Sequence, residues 1–130
     1  MLLIVFFVLL LLLVQVLMPG YYLTRQIGPQ GQMGPRDDLP APSQALGRSR
    51  RALGNLQETL PIFLTLAVLS IVLGEQGWLA LSGAAIYLAG RVAHVCCYMA
   101  GLSPWRSLAF TAALAGLVLM ALPLLPHIWS

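Results

Sequence analysis

The sequence predicts an all-α integral membrane protein, built as one domain around an antiparallel four-helix transmembrane bundle. Three observations predict it. Of 130 residues, 59% are apolar and 8% charged, whereas soluble domains carry about 25% charged residues to cover their surface. Four stretches are long enough to supply the ~20 helical residues that a bilayer core of ~30 Å requires. The seven basic residues, all arginine, gather near the ends of those stretches. The same composition excludes a disordered chain and, for want of polar surface, a nucleic-acid-binding module. Membrane lipid is the expected solvent.

The first expected span covers residues 2–23, apolar from 2 to 18 except for Gln15. A cleaved signal peptide is the competing reading, but no positive residue precedes the run and no small-x-small site follows it. Residues 24–51, rich in Gly, Pro, Arg, Asp and Gln, read as an exposed cytoplasmic loop with turns at Gly28-Pro29 and Gly34-Pro35. The second span, 52–73, is apolar in its second half and carries Asn55, Gln57, Glu58 and Thr59 in its first. The third, 78–99, contains Arg91 and His94, and the fourth, 105–125, follows Pro104 and begins with Arg106 close by. The links at 74–77 and 100–103 are short, which forces neighbouring helices to run antiparallel.

Arginine placement predicts orientation. Arg25, Arg36, Arg48, Arg50 and Arg51 lie in or beside the first link, Arg106 lies beside the third, and the second link and C-terminus have none. The positive-inside rule then puts both basic links in the cytoplasm and both termini on the other side. Tyr21, Tyr22, Tyr98 and Trp105 fall near the inner interface, and Trp78 and Trp129 near the outer one, where amphipathic aromatics collect.

The polar residues of the spans converge. Arg51, Asn55 and Glu58 stand at i, i+4, i+7, and Arg91, His94 and Tyr98 at i, i+3, i+7, so each set forms one stripe. At 1.5 Å per residue, all of them and Arg106 fall roughly 20–34 Å from the outer helix ends, in the cytoplasmic half. The other side of the third helix repeats Ala85, Ala89, Ala93 and Cys97, a small-residue ladder suited to close helix packing. One reading makes the polar shelf structural, with Glu58 and an arginine as a buried pair setting helix register and His94 as a satisfied core residue. The other makes it a site. A single Glu58 cannot neutralise Arg51, Arg91 and Arg106, and guanidinium suits carboxylate or phosphate. The residues therefore predict a pocket for an amphipathic anion, reached from the cytoplasm and open to lipid.

The run from Arg51 through Asn55 and Glu58 to Phe63 resembles the second-helix signature of the MAPEG superfamily, the membrane-associated proteins in eicosanoid and glutathione metabolism. Gly90-Arg91-Val92-Ala93-His94, then Tyr98 and Arg106-Ser107, resemble its third- and fourth-helix signature, and Gly34-Pro35-Arg36-Asp37 resembles the bacterial branch. The resemblance implies a homotrimer in a bacterial inner membrane, with glutathione as cofactor between subunits near the cytoplasmic face. It implies glutathione binding by Arg51, Asn55, Glu58, Arg91, His94 and Tyr98, with Arg25 a weaker match. The implied activity is transfer of glutathione to lipophilic electrophiles, or reduction of lipophilic peroxides. Arg106 would stabilise the thiolate and Ser107 would donate a hydrogen bond to its sulfur. Two positions depart from the pattern. Gly54 stands where some relatives have arginine, and Phe110 where some have tyrosine. These departures favour the alternative, a non-catalytic lipid- or fatty-acid-binding protein of the same fold.

The remaining features predict little chemistry. Cys96 and Cys97 point apart on a helix and read as small packing residues. His94 has no further ligand at metal spacing, so no metal is expected. Asp37 and Asp38 read as solvated loop residues, and His127 as interfacial.

Overall fold

The structure, a computed structural model, describes residues 1–130 apart from Arg36 and Asp38. The topology signal assigned to Arg36 and the solvated role expected of Asp38 lie outside the described residues. The described residues form four helices: α1 (Leu2–Met33), α2 (Gln44–Val72), α3 (Trp78–Ala100) and α4 (Ser103–Ala121). A 3-10 helix, Leu122–Trp129, ends the chain. All four helices are long and apolar enough to cross a membrane, and no strand occurs among the described residues.

The stretch 24–51 is not the loop its polarity predicts. Helix continues through it from α1 to Met33 and begins again at Gln44. Hydropathy records the solvent a side chain meets, and a helix can leave the bilayer without ending. The turn expected at Gly28-Pro29 is present as a break inside α1. Gly28 has φ 81°, open to glycine without a steric penalty, and Pro29 starts the next helical piece. The start of α2 is capped by Ser43, whose Oγ accepts from the Leu46 amide at 3.2 Å. Gln26 ties the two helices together, donating to the Ala41 carbonyl at 2.6 Å and accepting from the Ser43 amide at 3.0 Å.

The fourth span also differs from expectation at its end. Pro123 and Pro126 lack the N–H that an α-helix needs, and the chain tightens to 3-10 geometry from Leu122. His127 from this turn pairs with Glu75 of the α2–α3 link, Nε2 to Oε1 at 2.8 Å. That contact joins residues 52 apart in sequence, beyond the reach of spacing arguments.

The small-residue ladder faces the wrong way for packing within the subunit. Ala85, Ala89 and Ala93 are exposed, whereas Tyr87, Arg91 and His94, the expected polar face, are buried. Close packing of α3 on α4 uses other small residues. A Cβ on Gly83 would lie 2.6 Å from the Gly116 carbonyl oxygen, and one on Gly90 would lie 3.0 Å from that of Ala109. The ladder does not form the packing face expected of it within the bundle, because spacing alone does not say which side of a helix its neighbours occupy. Gly116→Val should therefore cost about 2–3 kcal/mol through overpacking, read as a lowered unfolding midpoint in detergent. A midpoint within a degree of wild type would contradict this close approach.

The core is apolar and shares no residue with the recesses around Tyr98 and Arg106. Val8, Leu60, Phe63, Ala67, Leu117 and Met120 pack around Tyr87, whose ring stacks on Phe63 with centroids 4.5 Å apart. The buried Tyr87 hydroxyl is satisfied by Thr59 Oγ1 at 3.0 Å. α1 contributes little burial: only Val8, Gln15 and Leu23 are enclosed, and Leu2, Leu3, Phe6, Leu13 and Leu17 are more than half exposed. Such a surface needs lipid or a neighbouring subunit to cover it.

Candidate functional site

The short α3–α4 link brings the end of α3 and the start of α4 together beside the first part of α2. The Gly101 link closes α3 in a Schellman arrangement, with the Leu102 amide bonded to the Cys97 carbonyl at 2.9 Å and the Gly101 amide to that of Tyr98 at 3.2 Å. Gly101 has φ +74°, the left-handed conformation that this cap requires. α4 then starts at Ser103 and sets Arg106 beside Tyr98 within its first turn.

Tyr98 is the hub. Arg51 Nε donates to its hydroxyl at 3.2 Å, and the Arg106 guanidinium lies over its ring, 4.8 Å from the centroid. Two recesses open on either side of this Tyr98–Arg106 pair. One, of about 200 Å³, is lined by Arg48, Arg51, Cys97, Tyr98 and Arg106, and the other, of about 310 Å³, by Asn55, His94, Tyr98, Arg106, Ser107, Phe110 and Thr111. Neither lining contains an acidic residue. The first lining is dominated by arginine, and the second sets Phe110 among polar side chains, a combination that suits an amphipathic anion.

Behind the second recess lies Arg91, fully buried, with Nη1 donating to Asn55 Oδ1 at 2.8 Å. Its Nε and Nη2 have no hydrogen-bond partner among the described residues, and neither does Nδ1 of the buried His94. Buried polar atoms are rarely left this way, so the site has donors to spare. The buried Glu58–arginine pair that the structural reading allowed is not formed. Glu58 is exposed, and the one ion pair among the described residues is Glu75–His127.

Seven of the nine residues expected at the site come together: Arg51, Asn55, His94, Tyr98, Arg106 and Ser107 line the recesses, and Arg91 backs them through Asn55. Two stand apart. Glu58 lines neither recess, and Arg25 donates to Tyr21 at 3.1 Å with its guanidinium over that ring. Arg48, Cys97 and Thr111 also line the recesses without having been expected there. Arg48 was legible in principle, since it lies three residues before Arg51 on the same helical face.

Four helices long and apolar enough to cross a membrane, with an arginine-lined double recess at one end, define a multi-pass membrane protein. The chain belongs to the MAPEG family, whose model matches residues 1–125. No curated protein and no solved structure matches the chain. Membership carries a glutathione- or eicosanoid-related membrane function at the level of the family.

Proposed function

We propose that the protein is a glutathione-dependent membrane transferase or peroxidase acting on lipophilic electrophiles or peroxides. The observation that carries this reading is the acid-free double recess around Tyr98 and Arg106, backed by buried donors without partners. The donor set fits glutathione. Its two carboxylates suit the guanidiniums of Arg51 and Arg106, and its peptide groups suit Asn55 and Tyr98. When bound, glutathione supplies a thiol whose anion is the nucleophile. Arg106 holds negative charge at the sulfur position, Ser107 donates to it, and Tyr98 holds Arg106 in place through its ring. Phe110, in the second recess, offers an apolar surface to a lipophilic substrate.

The subunit alone leaves this site unfinished, and we propose a homotrimer that completes it. The glutathione ammonium needs an acid, and Glu58 faces outward from its own recesses. The exposed Ala85, Ala89 and Ala93 and the bare face of α1 are surfaces a second copy would cover. Native mass spectrometry should find three chains, and a stable monomer would contradict an intersubunit site. A bacterial inner membrane, with the arginine-bearing end cytoplasmic and both termini on the far side, accords with the gathering of Arg48, Arg51 and Arg106 at one end.

Phe110 supports the second reading, a non-catalytic carrier of a fatty acid or lipid. It lines the recess with no hydrogen bond to give, where an apolar chain would lie comfortably. Turnover of glutathione with a lipophilic aryl halide or a lipid hydroperoxide separates the two. Saturable glutathione binding without turnover moves the assignment to the carrier, and absence of binding ends the enzymatic reading. Gly54 gives a further prediction. No atom lies within 4 Å of a Cβ placed there, so Gly54→Arg fits and should tighten glutathione binding about tenfold by adding a charged hydrogen bond. Unchanged affinity in an equilibrium titration would remove that face of α2 from the site.

A further inference from the structure

Arg48 reaches across the bundle in a way its sequence position does not announce. It is half-buried on α2, and its Nη1 donates to the Met99 carbonyl at the end of α3, 51 residues away, at 3.1 Å. The rest of the guanidinium lies against Gly101, so close that a Cβ there would meet Nη2 at 2.8 Å and Cζ at 3.2 Å. One side chain therefore covers both the Met99 carbonyl, in the last turn of α3, and the left-handed residue that turns the chain into α4. Tyr98 stands just before this link and Arg106 just after it, and the geometry of that pair divides the two recesses.

We propose that Arg48 is a positioning residue. It clamps the α3–α4 link from α2 and thereby sets Arg106 against Tyr98. The cation is suited to the work, because helix C-terminal carbonyls carry partial negative charge and an arginine fork can serve more than one acceptor. Gly101 is needed for its φ, and its missing Cβ also leaves the Arg48 guanidinium its place. The inference rests on the glutathione reading only for its functional consequence. The clamp itself is independent of any ligand.

The test uses the full-length protein in detergent, with two readouts. In Arg48→Gln, hydrogen exchange at the Gly101 and Leu102 amides should accelerate about tenfold, the loss expected for one charged hydrogen bond, while helices α1 and α2 keep their protection. Thiolate absorbance per bound glutathione should fall several-fold, and Arg48→Lys, which keeps a charge but not the fork, should recover part of both. Unchanged exchange in Arg48→Gln overturns the clamp. Faster exchange with an unchanged thiolate yield overturns the positioning role. Failure of the wild type to bind glutathione defeats the functional reading instead and leaves the clamp to be judged on exchange alone. Should Arg48→Gln not fold, Arg48→Lys carries both readouts, with intermediate values expected and wild-type values contradictory.

Discussion

Arg106→Ala is expected to remove most of the thiolate from bound glutathione while glutathione still binds. An ordinary cysteine-type thiol has a pKa of about 8.5, so only a few per cent is ionised at neutral pH, and a neighbouring cation is what lowers it. Arg106 is common to both recesses and is fixed over Tyr98 at 4.8 Å. Losing one such preorganised group typically costs about 100-fold in turnover. Affinity should fall less, because Arg51, Asn55 and Tyr98 remain to hold the peptide. The pH dependence has a definite sign: removing the cation raises the thiol pKa, so the variant's missing thiolate should return as pH is raised toward 9. Retention of the thiolate band at neutral pH in Arg106→Ala would show that another group stabilises the sulfur.

Asn55→Leu should produce the largest loss of stability at the site. Arg91 is completely buried, and Asn55 Oδ1 accepts its one hydrogen bond to a side chain among the described residues, at 2.8 Å. Removing that acceptor leaves a buried cation with none, at a cost of about 2–3 kcal/mol. Asn55→Asp keeps an acceptor and should hold the fold. The double variant Asn55→Leu/Arg91→Leu should recover part of the loss, since two apolar groups replace both partners. Denaturant unfolding followed by circular dichroism measures all three. A midpoint for Asn55→Leu equal to wild type would mean that Arg91 finds compensation elsewhere, and the double variant would then be no better than the single one.

Both predictions rest on residues whose convergence was readable from spacing. The stripes through Arg51 and Asn55 and through Arg91, His94 and Tyr98 follow from helical periodicity, and the short α3–α4 link carries Arg106 to them. The length and apolarity of four stretches placed four helices. They did not place their ends, because α1 and α2 continue beyond the apolar stretches into polar sequence, where the C-cap at Gly34 and the N-cap at Ser43 bound them. Nor did periodicity orient α3. Ala85, Ala89 and Ala93 have the spacing of a packing face, yet Gly83 and Gly90 meet α4 instead. Contacts between distant segments escaped for a different reason. Arg48 with Met99, and Glu75 with His127, are set by the three-dimensional meeting of links, about which local pattern is silent. Glu58 lies between these cases: its stripe was legible, but its exposure, away from both recesses, was not.

In the proposed function, the double recess around Tyr98 and Arg106 binds glutathione and ionises its thiol. The direct measurement is a glutathione titration of the purified wild-type protein in detergent, with bound ligand and near-ultraviolet thiolate absorbance recorded on the same samples at neutral pH. Saturable binding, with thiolate absorbance rising in proportion to occupancy, is the predicted result. Absence of saturable binding, or saturation with no thiolate signal, would contradict it.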